Sequence, residues 1–333
     1  MGGDFAPTNE VAGAVESLRE KSNEFEVILV GKEQEIAAEL KRRGAQGLAC
    51  SIVNAEEVIT MEDPPTASLK QKKNSSLAVG MQLHKEGKGE AFASVGNTGA
   101  VLSASTLILG RIKGVSRPTI AAFFPTTQGV CLVVDAGTNV DCRAQHLFEF
   151  AVMGSIYAKR IFMYENPTVG LLNVGEEKKK GTEVVQEAYA LLERSNLNFV
   201  GNIEGRDILK GSAQVVVCDG FVGNVVLKFA ESVPSFLKSK LKSYASGNIL
   251  RTLLIGAARG SLRASLRDMD YEEFGGIPVL GVNGVSIIGH GSSSPKAIKN
   301  MIFKAAEVAK SQLNTYIEEA MATALTPVAT PAP

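Results

Sequence analysis

The sequence predicts an α/β protein whose mostly parallel sheet is covered on both faces by helices. Three observations carry that expectation. Short apolar runs of β-forming residues alternate with helix-length amphipathic segments through most of the 333 residues. The run Val215-Val216-Val217-Cys218 is apolar throughout, as a strand buried on both faces must be. Several such runs end in glycine and polar residues, the loops on which ligands collect in an open parallel sheet.

Taken in order, residues 25–30 read as a strand, Gly31 opens a helix over 33–43, and 49–53 form the next strand. Met61-Glu62-Asp63-Pro64-Pro65 is a loop, because consecutive prolines continue neither element. A helix over 75–85 leads into the strand Ala91-Phe92-Ala93. Residues 119–124 and 130–134 flank the turn Thr126-Thr127-Gln128-Gly129, which predicts a hairpin excursion. Next come a helix at 146–160, a strand at 169–174, a helix at 183–193, and strands at 199–203 and 215–218. A final helix runs from Pro295, at the first turn after Ser294, to 322. Residues 1–325 are expected to form one large unit, and 326–333, all Pro, Thr, Ala and Val, a disordered tail.

Composition narrows the function. Hydrophobic residues make up 45% and charged residues 21%, and 35 basic groups balance 35 acidic ones. That excludes a disordered chain and a broadly basic one, and no basic, aromatic-interleaved patch points to nucleic acid. Cys50, Cys131, Cys142 and Cys218 contain no CxxC pair and read as reduced thiols of a cytoplasmic protein. No apolar stretch reaches the ~18 residues of a membrane span, and Met1-Gly2-Gly3-Asp4 carries no signal-peptide pattern.

The loops carry the chemistry. Ser94-Val95-Gly96-Asn97-Thr98-Gly99-Ala100 joins a strand to a helix. A helix start offers unpaired N–H groups and a favourable dipole to an anion, and the glycines allow close backbone approach. An ordinary strand-to-helix turn would look the same, but comparable loops follow the other strands: 135–142, 175–182, 204–207, 219–224 and 289–294. Six such loops predict one shared polar cleft. G-x-G-x-x-G after a strand, the P-loop, H-E-x-x-H and G-x-S-x-G are all absent, so no cofactor or metal is expected. Backbone donors, hydroxyls, amides and Lys178-Lys179-Lys180 suit a phosphate-sized anion and a polarised carbonyl. Each candidate has a plainer reading: the lysines as a solvated run, Asn224 as a helix cap, His290 as a turn residue, Asp135 and Asp219 as loop anchors.

From Ser232 to Arg267 the chain has no acidic residue, while Lys238, Lys240, Lys242, Arg251, Arg259, Arg263 and Arg267 are basic. Val225, Phe229, Val233, Phe236, Leu237, Leu241 and Tyr244 recur at helical spacing, Gly247-Asn248 interrupts, and a second amphipathic piece follows. This predicts a helical hairpin over about 225–267. It either packs on the body or a second subunit, or meets anionic lipid or an acidic protein through Leu250, Arg251, Leu253, Leu254, Arg259 and Arg263.

Seven motifs in order identify a family. They are Met1-Gly2-Gly3-Asp4-x-Ala6-Pro7, the Ser94–Ala100 loop, Asp135-x-Gly137-x-Asn139-x-Asp141-Cys142, Gly175-Glu176-Glu177-x-x-Lys180-Gly181, Asn202-x-Glu204-Gly205, Asp219-Gly220-Phe221-x-Gly223-Asn224 and Gly289-His290-Gly291-Ser292-Ser293. Together they closely resemble the bacterial phosphate acyltransferase family PlsX of phospholipid synthesis. The resemblance implies a three-layer α/β/α fold like that of isocitrate and isopropylmalate dehydrogenases, with a protruding hairpin, and a homodimer. It implies conversion of a long-chain acyl-carrier-protein thioester and inorganic phosphate to acyl phosphate, which passes to a membrane glycerol-3-phosphate acyltransferase. Acyl carrier protein and the membrane surface are thus expected partners, and the location is cytoplasmic and peripheral to the membrane. The family also begins with an apolar strand ending in Asp-Ala before the Met-Gly-Gly-Asp stretch, so a natural start upstream of Met1 is expected. A phosphotransacetylase acting on a small acyl-CoA, or a non-catalytic carrier-protein scaffold, would share parts of the pattern.

Such chemistry needs little beyond positioning, since phosphate is already a nucleophile and a thiolate leaves readily. Ser94, Gly96, Asn97, Thr98 and Gly99 are expected to hold phosphate, with Asn139, Gly175, Glu176 and Gly223 also facing substrate. Lys180 balances the phosphate charge and Asn224 donates to the thioester oxygen. Asp135 or Asp219 orients loops, and His290 protonates the departing sulfur.

Overall fold

The computed structural model describes residues 1–265 and 271–324. The Arg263 side chain, Arg267 and the tail 326–333 lie outside the described residues. The chain opens with α1 (Thr8–Glu20), β1 (Val27–Gly31), α2 (Glu33–Arg42) and β2 (Cys50–Asn54). It continues through α3 (Pro65–Gln71), α4 (Ser76–Lys85), β3 (Phe92–Ser94) and α5 (Thr98–Ala104), which runs on as a π-helical turn, Ser105–Leu109. The middle holds β4 (Thr119–Thr126), β5 (Gly129–Val134), α6 (Ala144–Ile161), β6 (Thr168–Leu172), α7 (Glu183–Glu193), β7 (Asn198–Ile203), α8 (Gly205–Ile208) and β8 (Val215–Val217). The last part holds α9 (Gly220–Ala245), α10 (Ile249–Ser265), α11 (Tyr271–Phe274), β9 (Ile277–Leu280), β10 (Ser286–Ile288), α12 (Pro295–Lys310) and α13 (Leu313–Ala324).

Eight strands form one sheet in the order β3-β10-β9-β4-β5-β8-β6-β7, and β1 and β2 pair separately in parallel. Met1 lies beside that second sheet: its carbonyl accepts the Ser76 hydroxyl at 3.0 Å. A Cβ on Gly31 would fall 2.3 Å from Met1 Cγ.

The large sheet is mixed, its pairings mostly parallel and antiparallel only at β9 and β4. β9 runs antiparallel to β10 and β4, and β4 runs antiparallel to β5. As a result β3, β10 and β4 point one way, while β9, β5, β8, β6 and β7 point the other. The strand antiparallel to both its neighbours, β9, is four residues long and contains Pro278. The hairpin of β4 and β5, with Ala121 opposite Val134 and Thr126 opposite Gly129, is therefore the middle of the sheet and not an excursion from it.

Side-chain alternation divides the core by face. Leu132, Val134, Val215 and Val217 face one layer with Leu147, Phe150 and Tyr157 of α6 and the buried sides of α7, α12 and α13. Cys131, Val133 and Val216 face the other with Ala100, Val101 and Ala104 of α5, residues of α3 and α4, and the start of α9. Burial on both sides is why the central strands are apolar without a break.

Three expected boundaries differ. The strand at 169–174 ends at Leu172, and Val174 is 80% exposed. The 61–65 loop already starts α3 at its last proline, a residue suited to a first helical turn. The single final helix is two, α12 and α13, divided where Gln312 takes φ 55°. Helix α1 was not foreseen; it buries Val11, Ala14, Val15 and Leu18, and a Cβ on Gly13 would lie 2.6 Å from Ile298 of α12.

Candidate active site

Four adjacent parallel strands, β5, β8, β6 and β7, bring their carboxyl ends together. The loop after β5 is organised by one carboxylate. Asp135 is fully buried, and its Oδ1 accepts the backbone N–H of Gly137 (2.8 Å) and Thr138 (2.7 Å). Its Oδ2 accepts the Asn139 N–H (2.8 Å) and Asn139 Nδ2 (2.7 Å). Burial pushes the Asp135 carboxyl above the ordinary carboxylate value, and the hydrogen bonds from Thr138, Asn139 and Gly137 pull it back only in part. Asn139 spends its amide inside the protein, donating also to Pro118 O at 2.9 Å. Asp135 and Asn139 thus shape the loop.

The start of α9 leans on that loop. Asp219 caps the helix, its Oδ1 accepting Val222 N at 2.9 Å, and Gly220 N donates to Asn139 O at 2.8 Å. A Cβ on Gly220 would lie 2.7 Å from Asn139 N, and one on Gly223 would lie 1.8 Å from Asp135 O. Only glycine permits this approach. Asn224 follows on the exposed side of the first turns, within 3.3 Å of the position a Cβ would take on Gly137. Among the described residues, its carboxamide has no hydrogen-bond partner in the protein.

The lysine loop stands over β6 and β7. Lys178 is turned toward α7, paired with Glu193 and 5.5 Å from the Tyr189 ring centroid. That contact with Glu193 raises the Lys178 ammonium above its ordinary value. Lys180 Nζ lies 3.9 Å from Glu177 Oε1, and Arg206 reaches Glu176 at 4.0 Å and Glu204 at 2.9 Å. Gly175 is buried beneath the loop. The loop's main-chain oxygens, those of Glu177, Lys179, Lys180 and Gly181, accept from the carboxamides of Asn173, Gln186 and Asn202. Asn202 appeared in a sequence motif without a role, and Asn173 and Gln186 carry no signal beyond their amide chemistry.

The loops after β3 and β10 leave strands that run opposite to β5, β8, β6 and β7. They form a second group with the amino-terminal segment. Gly289 N donates to Ser94 O at 2.8 Å, Asp4 N to Gly291 O at 2.9 Å, and Asn9 Nδ2 to Ser293 O at 3.0 Å. Ser94 Oγ accepts Gly96 N at 3.1 Å. Asn97 caps α5 by accepting Ala100 N at 3.0 Å, and its Nδ2 faces the carbonyls of Thr60, Met61 and Asp63 at 3.1–3.2 Å. The Asn97 side chain therefore fastens two loops together, leaving Thr98 and the backbone of Gly99 as the group's outward donors. Gly99 is pressed against α3, where its Cβ would lie 2.8 Å from Pro65 Cγ. His290 Nδ1 accepts Ser292 N at 3.2 Å and lies 2.7 Å from Ser292 Oγ. A backbone N–H can only donate, so the network assigns the ring proton to Nε2.

Chemically, the first group offers an unengaged amide, a lysine and helix-terminal N–H groups, a set that can hold an anion beside a polarised carbonyl. The nearby thiols are not nucleophiles: burial, with Asp135 and Asp219 near by, pushes Cys142 up to about 12, and burial pushes Cys218 well above its ordinary value. Among the described residues, no group of three or more His, Cys, Asp or Glu is placed to hold a metal ion. No helix of the described residues is long and apolar enough to cross a membrane.

Comparison with known proteins gives the site its context. The family model described as "Fatty acid synthesis protein" matches residues 1–316. The chain is 46% identical over 326 residues to the phosphate acyltransferase of Chlorobaculum parvum, covering 95% of this chain and 96% of that one. It is 47% identical over 313 residues to that of Pelotomaculum thermopropionicum, covering 94% and 91%. Among solved structures it is similar to a phosphotransacetylase from Streptococcus pyogenes, with a TM-score of 0.61, 18% identity, and coverage of 91% and 92%. At that identity the likeness shows a shared fold, a mixed sheet sandwiched by helices. The two relatives share nearly half their residues with this chain over almost its whole length, so the chain belongs to the phosphate acyltransferase (PlsX) family and is an enzyme of that class.

Proposed function

We propose that the enzyme transfers the acyl group of a long-chain acyl-carrier-protein thioester to inorganic phosphate. A phosphate oxygen attacks the thioester carbon, the carbon–sulfur bond breaks, and the proton of hydrogen phosphate ends on the carrier's thiol. The products are acyl phosphate, for phospholipid synthesis, and free carrier protein. The observation that carries this reading is the Asn224 carboxamide. It lies on the first turns of α9 with no hydrogen-bond partner among the described residues, against Gly137 and one strand from the Lys180 loop. There it donates to the thioester oxygen as negative charge develops, while Lys180 balances the phosphate.

Asn224→Ala is expected to lower the rate of acyl phosphate formation by about 10²–10³-fold, the usual loss of one such donor. Lys180→Ala should lower it at least about tenfold, chiefly through phosphate. Near-normal turnover of both variants, with the melting temperature unchanged, would remove the assignment.

A second element completes the reading. Phosphate contacts from Ser94, Gly96, Asn97, Thr98 and Gly99, and proton donation by His290, join the Lys180–Asn224 group. We assign their meeting to a homodimer. The helices α9 and α10 form the protruding hairpin, whose exposed apolar and basic residues suit the membrane where acyl phosphate is consumed by a glycerol-3-phosphate acyltransferase.

A further inference from the structure

We infer that Asn173, Gln186 and Asn202 are positioning residues, a clamp of three carboxamides that fixes the segment bearing Lys180. The inference rests on the reading that Lys180 meets phosphate. Residues 174 and 176–182 are exposed, so apolar packing does not fix where Lys180 points. Side-chain amides do so instead. Asn173, at the end of β6, donates from Nδ2 to Lys180 O at 3.1 Å. Gln186, on the first turns of α7, donates from Nε2 to Lys179 O at 3.0 Å and Gly181 O at 3.2 Å. Asn202, from the neighbouring strand β7, donates from Nδ2 to Glu177 O at 2.9 Å. That carbonyl also accepts Lys180 N at 3.0 Å, which places Asn202 one shared acceptor away from the lysine.

Asn202 is the informative member. It is 6% exposed, and its Oδ1 is buried without a partner. A buried carboxamide with one idle acceptor is costly, and an apolar residue would avoid that cost. Its amino group must therefore matter, and among the described residues that group has a single destination, the lysine loop. The backbone around it leaves no alternative path. Gly181 sits at φ +83°, and a Cβ there would lie 2.5 Å from Asn173 Oδ1, so the loop can close over Asn173 only through glycine. Lys178, tied to Glu193, marks the opposite margin of the same segment. Held from β6, β7 and α7 at once, Lys180 is set before phosphate arrives, which spares the ordering cost of a flexible side chain's anchor.

The test compares four enzymes in initial-rate assays, with a long-chain acyl-carrier-protein donor and varied inorganic phosphate. They are Lys180→Ala, Gln186→Ala, the isosteric Asn202→Asp, and Asn202→Asp combined with Lys180→Ala. Removing these donors should raise the phosphate KM roughly threefold in Gln186→Ala and about tenfold in Asn202→Asp, with kcat changed less. In the Lys180→Ala background, Asn202→Asp should add less than about twofold, because residues acting through one group are not additive. An unchanged phosphate KM in both amide variants, alongside a raised one in Lys180→Ala, overturns the clamp and leaves the Lys180 reading standing. Fully additive losses in the double variant also overturn the clamp. An unchanged phosphate KM in Lys180→Ala overturns the Lys180 reading itself, and the clamp with it. Gln186 is exposed, so its variant decides the matter if Asn202→Asp fails to fold.

Discussion

Gly223 shows at the scale of one residue why a glycine in this loop system is a packing requirement. Its Cα faces the carbonyl of Asp135, and an added Cβ would lie 1.8 Å from that oxygen. The carbonyl cannot retreat, because the Asp135 carboxylate is held by four N–H donors of the same loop. Gly223→Ala must push α9 away from β5. We expect a loss of about 3 kcal/mol or more, at the upper end of overpacking, read as a drop in melting temperature of several degrees. Asn224 moves with the helix, so activity should fall with stability. Gly205→Ala is the control, since its Cβ would meet nothing within 4 Å. A Gly223→Ala enzyme that melts like the parent would show that the contact is looser than described. From sequence, Gly223 read as a substrate contact and Asp135 as either a catalytic group or a loop anchor. What decides between such roles is the neighbour across the sheet, and a single chain of letters does not name it.

At the scale of elements, periodicity was the legible part. Helix α7 spans Glu183–Glu193, the range its apolar spacing predicts, and Thr182 caps it. The break between α12 and α13 escaped notice because apolar spacing continues across it and the left-handed residue, Gln312, is not glycine. Helices α9 and α10 were legible as an amphipathic pair joined at Gly247, which takes φ +78°. Their apolar residues are left uncovered in the single chain: Phe229 is 73% exposed, Ile249 82%, and Leu253 and Leu254 more than 60%. Exposed apolar area of this extent in a stretch, 232–267, that has basic but no acidic residues suits an anionic bilayer, where each basic group near the surface adds about 1 kcal/mol. Leu253→Glu with Leu254→Glu should reduce co-sedimentation with anionic liposomes at least about tenfold, and raised salt should weaken the parent's binding too. Liposome binding that both changes leave intact would move the contact elsewhere.

For the whole molecule, the decisive feature is the order of strands in the sheet, which sequence could not reveal. β9, four residues with a proline at the second position, lies antiparallel between β10 and β4, and the hairpin of β4 and β5 then turns the remaining strands opposite to β3 and β10. The ladder still sets Ser94, through Ile288 and Ile277, nearly level with Val134. We propose that the His290 loop meets the Lys180–Asn224 group across two copies of the chain. Complementation tests this directly. His290→Ala and Lys180→Ala chains, carrying different tags, would be co-expressed and the mixed dimer purified through both tags. If His290 of one copy serves the Lys180–Asn224 group of the other, one of the two sites in the mixed dimer is whole, and activity should recover to about half that of the parent dimer. If each site is built from one chain, both sites of the mixed dimer stay defective and activity remains near the level of the single variants. A mixed dimer no more active than its parts would place each site within one chain.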